Sequence, residues 1–110
     1  MGGVAQIAAT ITETGAVKRM GDVAGLISGA RSPAHEDIAQ EFAGYCEKAD
    51  FNFTDAADIE QALWDKWVML ATLAGMTTLC LGSIGEIVAT PYGAEMSRRM
   101  HGEACAIAAA

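Results

Sequence analysis

The stretch Asp58-Ile59-Glu60-Gln61-Ala62-Leu63-Trp64-Asp65-Lys66-Trp67 opens the longest segment with helical periodicity in this chain of 110 residues. An acidic start near Asp55 or Asp58 is typical of a helix amino terminus. Apolar residues then recur on one stripe, which comprises Ile59, Leu63, Leu70 and Leu73. We expect this stripe to be buried. A break or kink is predicted at Gly75, because glycine costs about 1 kcal/mol relative to alanine inside a helix.

Lys66 interrupts the apolar stripe, because it lies three residues after Leu63 and four before Leu70. In a desolvated site the charged ammonium is disfavoured, so a lysine there can give and take a proton near neutral pH. Alternatively, its aliphatic stem reaches water or its ammonium pairs with a carboxylate. The residues alone leave both interpretations open. Trp64 and Trp67 are interpreted as packing residues rather than as a ligand platform.

The first thirty residues have the pattern of strands and turns. The runs from Val4 to Ile11 and from Val23 to Ser28 are predicted strands, with a turn at Glu13-Thr14-Gly15. The segment from Ala16 to Met20 is either a short strand or the connection. Two or three strands do not form a stable sheet alone, so we expect them to belong to a larger sheet.

Helical signals follow on both sides of the central stretch. Ser32-Pro33 predicts a helix start, and Ile38, Phe42 and Tyr45 or Cys46 follow at helical spacing. Residues 50–55 are predicted to be a short link between this helix and the next. Ser83-Ile84-Gly85-Glu86 fits a capping box that opens a third segment. A fourth helix is predicted from Thr90-Pro91 to the alanine-rich end.

Composition excludes several classes of function. The net charge of −7 argues against binding to nucleic acid and to anionic lipid. Residues 67–85 carry no charge, but three glycines and several hydroxyl residues favour a buried core helix over a membrane span. No signal peptide is evident at the start, so we expect a cytoplasmic protein.

Metal and phosphate sites are not predicted either. The three cysteines, Cys46, Cys80 and Cys105, have no C-x-x-C spacing and are expected to be buried free thiols in a reducing compartment. His35 and His101 are predicted surface residues rather than metal ligands. The only regularly spaced glycines, Gly21, Gly25 and Gly29, do not match a phosphate-binding loop.

Three stretches together resemble the ketopantoate reductase family, the 2-dehydropantoate 2-reductases and their relatives. Residues 2–10 with Gly15-Ala16-Val17 resemble the last strands of the family's nucleotide domain. Asp58-Ile59, Leu63-Trp64 and Lys66 resemble the start of its first long substrate-domain helix. Gly85-Glu86-Ile87 resembles the turn that follows, and Thr77 falls where the family often has threonine.

The resemblance implies a mainly α fold. It comprises a helical substrate domain of the 6-phosphogluconate-dehydrogenase-like C-terminal type, preceded by two or three strands of a Rossmann-type domain. Residues 1–30 would be the end of a truncated nucleotide-binding domain, and residues 31–110 part of the helical substrate and dimerisation domain. The implied activity is NADPH-dependent reduction of a 2-keto acid, as in pantothenate biosynthesis, with Lys66 as the general acid.

Two departures from the family pattern modify these expectations. The family often has asparagines four and eight residues after the lysine, where this chain has Leu70 and Ala74, so the pocket is expected to be less polar. The glycine-rich turn of the nucleotide domain and the family's distal helices are not found in these 110 residues. This chain alone is therefore expected to hold no cofactor and to be inactive.

Two hypotheses follow. The chain is either a substrate-domain fragment of a ketopantoate-reductase-like oxidoreductase, or a free-standing helical module that associates with itself and has no catalytic activity. Both predict a homo-oligomer, with a dimer favoured, because strands without a sheet and helices without covering neighbours leave apolar faces to bury.

Overall fold

Three strands form the sheet of this computed structural model, which describes all residues from 1 to 110. They are β1 (Gly2–Ile11), β2 (Val17–Gly29) and β3 (Asn52–Asp55), in the order β1-β2-β3. β1 and β2 form an antiparallel hairpin, whereas β3 runs parallel to β2. The predicted turn at residues 13–15 is confirmed, and Gly15 has a φ of 81° there.

The hairpin contains a bulge that explains one of its glycines. Ile7 pairs with Ala24 and Ala9 pairs with Arg19, so β2 has extra residues opposite Ala8. Gly21 lies in this irregular segment with a φ of 88°, a backbone conformation that residues other than glycine rarely adopt. The residues from 17 to 20 therefore belong to β2 and are not a separate connection.

β3 was not predicted, since residues 50–55 were expected to be a link. Four residues are too few to show an alternating pattern, and this strand exists because it pairs with β2, to which it is distant in sequence. Leu26 pairs with Phe53, and the Phe53 ring makes an edge-to-face contact with Phe42 at 6.5 Å between ring centroids. The main chain after the strand is held by a hydrogen bond from Ala56 N to Ser28 O.

Helix α1 (Glu36–Cys46) follows a 3-10 turn at Pro33–His35. The expected start at Ser32-Pro33 is therefore the start of this turn, and the α-helix begins three residues later. Its buried side is Ala39, Ala43 and Cys46, while Ile38 and Tyr45 are exposed. The predicted apolar spacing was thus wrong in part, because small residues rather than the large ones face the core.

Helix α2 (Ile59–Cys80) is the predicted long helix and contains Lys66. Asp58 caps it, since the Gln61 N–H donates to Asp58 Oδ1 at 3.0 Å. The helix continues through Gly75, so the predicted break was wrong. Helix α4 approaches here, and a Cβ on Gly75 would lie 2.8 Å from Met100 Sδ.

The buried face of α2 also differs from the expectation. Ile59 is buried as predicted, but Leu70 and Leu73 are 44% and 42% exposed. Val68 and Met76, two turns apart, are buried instead. A segment that is apolar around most of its circumference has no single preferred stripe, so its packing partners decide which side is covered.

Helices α3 (Ile84–Val88) and α4 (Gly93–Ala108) complete the chain. The predicted capping box of α3 is confirmed: Ser83 Oγ accepts from Glu86 N, and Glu86 Oε2 accepts from Ser83 N at 2.8 Å. α4 begins at Gly93, three residues after the predicted Thr90. About half of the residues are helical, which confirms a mainly α fold with three strands.

The chain divides into an amino-terminal unit, Met1–Leu63, and a carboxy-terminal unit, Trp64–Ala110. The first unit buries Val4, Ser28, Gly29, Ala39, Ala43, Cys46 and Ile59. The second buries Val68, Met76, Ile87, Gly93 and Ala104. The assignment of residues 1–30 and 31–110 to two functional domains stays a prediction.

Solvent exposure corrects one expectation about the cysteines. Cys46 is buried, but Cys80 and Cys105 are exposed, so only one of the three is the buried thiol that was expected. None of the helices combines the length and apolar character that crossing a membrane requires.

Candidate functional site

Lys66 is the only basic residue of α2 and is half-buried. The salt bridges of the structure join Arg31 to Glu60 and Glu95 to Arg98 and Arg99, so Lys66 is not part of one. The ion-pair alternative is therefore not realised in this structure. The other two alternatives, a proton donor and a stem that carries its ammonium to water, are both compatible with a half-buried lysine.

Four residues named for the site lie on one face of α2. Leu70, Ala74 and Thr77 follow Lys66 at intervals of four, eight and eleven residues, which the helical repeat places on the same side. Along the helix axis they lie about 6, 12 and 16 Å from Lys66. A small substrate held at Lys66 can therefore contact Leu70 readily, but not Thr77 as well.

The hydroxyl of Thr77 is engaged within its own helix. Its proton is directed to the carbonyl oxygens of Leu73 at 2.8 Å and of Ala74 at 3.3 Å. Only the oxygen lone pairs remain to accept a hydrogen bond from a ligand. Distance and hydrogen bonding both make Thr77 the least supported of the predicted pocket residues.

The large side chains near Lys66 along α2 are apolar. Trp64 and Trp67 make an edge-to-face contact with each other, with ring centroids 5.6 Å apart and an interplanar angle of 83°. Both rings are about two-fifths exposed, as is Leu70. The Lys66 ammonium is the single cation of α2, whose other side chains are apolar, neutral polar or acidic.

The amino-terminal unit contains a cleft that the sequence did not indicate. It has a volume of about 440 Å³ and lies where β2 and β3 end and α1 and α2 begin. Arg31 and Glu60 contribute to its wall and form a salt bridge, and their hydrogen bond raises the pKa of the Arg31 guanidinium. The cleft does not include Lys66, Leu70, Ala74 or Thr77. Its wall combines residues that are distant in sequence, so no local pattern could have revealed it.

A second group missed by sequence reasoning lies on α4. His101 Nε2 is 3.6 Å from Cys105 Sγ, and His101 Nδ1 is 3.5 Å from Thr72 Oγ1. Cys105 follows His101 by four residues, so this pairing could have been found from helical spacing. His35 and His101 are exposed, as predicted. The structure has no group of three or more side chains placed to hold a metal ion.

Comparison with known proteins connects part of the chain to a family. Residues 58–110, a little under half of the chain, match the family described as ketopantoate reductase PanE/ApbA C terminal. This segment contains Lys66 and all of the predicted pocket residues. No curated protein sequence matches the chain significantly.

Two solved structures share the fold. A 2-dehydropantoate 2-reductase from Geobacter metallireducens GS-15 has a TM-score of 0.81 and 24% sequence identity, over 96% of this chain and 35% of its own. A dimeric ketopantoate reductase from Staphylococcus aureus has a TM-score of 0.76 and 17% identity, over 96% of this chain and 37% of its own. The chain thus spans about a third of the length of these proteins. The family resemblance is confirmed by the match of residues 58–110 to the ketopantoate reductase C-terminal family.

Proposed function

We propose that this chain supplies the substrate side of a cytoplasmic NADPH-dependent oxidoreductase that reduces a 2-keto acid to a 2-hydroxy acid, as in pantothenate biosynthesis. Lys66 carries the proposal, since it lies inside the family match and is the only cation of α2. Its role is to donate an Nζ proton to the carbonyl oxygen as negative charge develops there. General acid catalysis of this kind contributes about 10²–10⁴ in rate.

The residues of this chain do not fit a dinucleotide cofactor. Its regularly spaced glycines, from Gly21 to Gly29, lie within β2 and not in a turn between a strand and a helix, where a pyrophosphate would be held. The net charge of −7 also disfavours an anionic cofactor. The proposed role of this chain is therefore confined to binding the keto acid and supplying a proton.

Leu70 and Ala74 favour a keto acid with an apolar side chain. They follow Lys66 on the same face of α2, and neither side chain can form a hydrogen bond. A polar substrate loses hydrogen bonds to water on entering such a pocket without replacing them. An apolar chain next to the keto acid group has no such cost.

Complementation with a nucleotide-binding domain tests the proposal. The full chain is mixed with the separately produced nucleotide domain of a ketopantoate reductase, and NADPH oxidation is followed with ketopantoate and with 2-keto acids that have apolar side chains. We expect turnover only in the mixture, and a loss of about 10²-fold or more for Lys66→Ala. Lys48→Ala is the matched control, because Lys48 is exposed and lies beyond the end of α1.

Two results would contradict the proposal. One is equal turnover by the Lys66→Ala variant and the unsubstituted chain. The other is binding of NADPH by this chain alone, since its own residues are not expected to hold the cofactor.

A self-associating module is the second candidate, and the exposed large apolar side chains of α2 favour it. Trp64, Trp67, Leu70 and Leu73 are each more than two-fifths exposed, and such surfaces are often covered in an assembly. We propose a homodimer in either case. Sedimentation measurements over a range of concentrations test this, and Trp67→Glu is expected to weaken the dimer while Tyr92→Glu, at an exposed position before α4, leaves it intact. A dimer without turnover in any mixture would favour the second candidate.

A further inference from the structure

Two helices of the carboxy-terminal unit bring together three side chains that the proposed function does not use. Thr72 lies on α2, and His101 and Cys105 lie one turn apart on α4. Cys105 Sγ is 3.6 Å from His101 Nε2, and Thr72 Oγ1 is 3.5 Å from His101 Nδ1. The two ring nitrogens of His101 thus have different partners, an alcohol on one side and a thiol on the other.

The hydrogen bonds of Thr72 determine which nitrogen of His101 carries a proton. A threonine hydroxyl has a single proton, and that of Thr72 is donated to Val68 O at 2.8 Å. Thr72 Oγ1 can therefore only accept from His101, so Nδ1–H is the donor. In the neutral ring this leaves the lone pair of Nε2 directed at the Cys105 thiol, which can donate its S–H proton to it.

We propose that Cys105 is a base-activated thiol and a site of covalent modification by hydroperoxides. The S–H proton moves to His101 Nε2, and the thiolate attacks one oxygen of the peroxide. A sulfur–oxygen bond forms as the oxygen–oxygen bond breaks, and the sulfur gives up two electrons to the peroxide. The leaving oxygen takes the proton from His101, so the products are a sulfenic acid and one molecule of water or alcohol.

Exposure and helix position define a matched control within the same chain. Cys105 and Cys80 are both exposed, and both lie in the last turn of a helix, whereas Cys46 is buried. The negative end of a helix dipole opposes a thiolate there, by roughly a factor of two to five. Both exposed cysteines experience this effect, but only Cys105 has a histidine in contact. A difference in their reactivity therefore reports on the imidazole.

The test measures the modification of each cysteine separately in the full chain. The folded protein is treated at pH 7 with a small amount of iodoacetamide, or with hydrogen peroxide followed by dimedone, and the cysteine peptides are quantified by mass spectrometry. An ordinary thiol is about 3% thiolate at pH 7, so complete conversion to thiolate can increase the rate of modification by at most about 30-fold. We expect Cys105 to react at least threefold faster than Cys80 with both reagents, and Cys46 to be protected.

Two variants test the two hydrogen bonds. His101→Asn is expected to reduce the rate at Cys105 to that of Cys80. Thr72→Val preserves the size of the side chain but removes the oxygen that accepts from Nδ1–H, and it should give an intermediate rate. Circular dichroism confirms that each variant is folded, and the rate at Cys80 should not change. The proposal is overturned if Cys105 reacts no faster than Cys80 in the unsubstituted chain, or if neither variant slows it.

Discussion

Gly93→Ala is expected to destabilise the carboxy-terminal unit strongly. Gly93 is buried and is the first residue of α4. A Cβ at this position would overlap the carbonyl oxygen of Ile87 and lie 2.5 Å from its carbonyl carbon and 2.7 Å from Thr90 Oγ1. The obstructing group is mainly backbone, so no flexible side chain can rotate away to make room.

The magnitude follows from the groups that must move. Overpacking costs about 1–3 kcal/mol. The Ile87 carbonyl also accepts hydrogen bonds from Thr90 N at 3.1 Å and from Thr90 Oγ1 at 2.7 Å. Weakening these adds about 1 kcal/mol each. Alanine has fewer conformations than glycine in the unfolded chain, which offsets about 0.5–1 kcal/mol of the loss. The net loss expected is about 3 kcal/mol.

Gly102→Ala provides a control of opposite sign on the same helix. A Cβ on Gly102 would meet no atom within 4 Å, and the residue is exposed in the interior of α4. Alanine restricts the unfolded chain more than glycine does and therefore favours the helix. This substitution should stabilise the protein by about 0.5–1 kcal/mol.

Thermal unfolding followed by circular dichroism compares the two variants with the unsubstituted chain. For a chain of this size, 1 kcal/mol changes the melting temperature by about 4 °C, so we expect a decrease of about 12 °C for Gly93→Ala and a small increase for Gly102→Ala. If Gly93→Ala melted within about 2 °C of the unsubstituted chain, or above Gly102→Ala, the proposed clash with Ile87 would be wrong.

Three further predictions concern the segment between α2 and α4. Ser83→Ala removes the N-cap of α3 and should lower the free energy of unfolding by about 1 kcal/mol in urea titrations, whereas Ser83→Asp should retain most of it. The hydrogen bonds from the Ser83 backbone N–H and hydroxyl lower the pKa of the Glu86 carboxyl below its ordinary value of 4.5, so their stabilising effect should be present above pH 4.5 and be lost as the pH falls through the lower folded value. Urea titrations of Glu86→Gln at several pH values check this sign, and a difference from the unsubstituted chain that grew as the pH fell would contradict it. Leu81 is 90% exposed and has a φ of 53°, so Leu81→Gly is expected to raise the melting temperature. A decrease would show that the Leu81 side chain stabilises the end of the helix.

The local signals in the sequence predicted much of the fold. The turn at residues 13–15, the Asp58 start of α2 and the capping box at Ser83 and Glu86 all depend on residues within four positions of each other. Their hydrogen bonds form between neighbours along the chain, so the residue types alone indicate them. The family resemblance around Lys66 was also recognisable from the sequence, because it depends on motif order and spacing.

The tertiary structure decided the features that depend on distant residues. β3 exists only because residues 52–55 pair with β2, the wall of the cleft combines residues that are distant in sequence, and Gly75 is tolerated within α2 because Met100 of α4 packs against it. Composition could not show which side of the apolar α2 is covered, so Leu70 and Leu73 were expected inside and Val68 and Met76 are found there. Helical spacing alone could pair His101 with Cys105, but only the packing of α2 against α4 placed Thr72 next to His101. Because Thr72 Oγ1 accepts from Nδ1–H, the lone pair of His101 is on Nε2, next to the thiol.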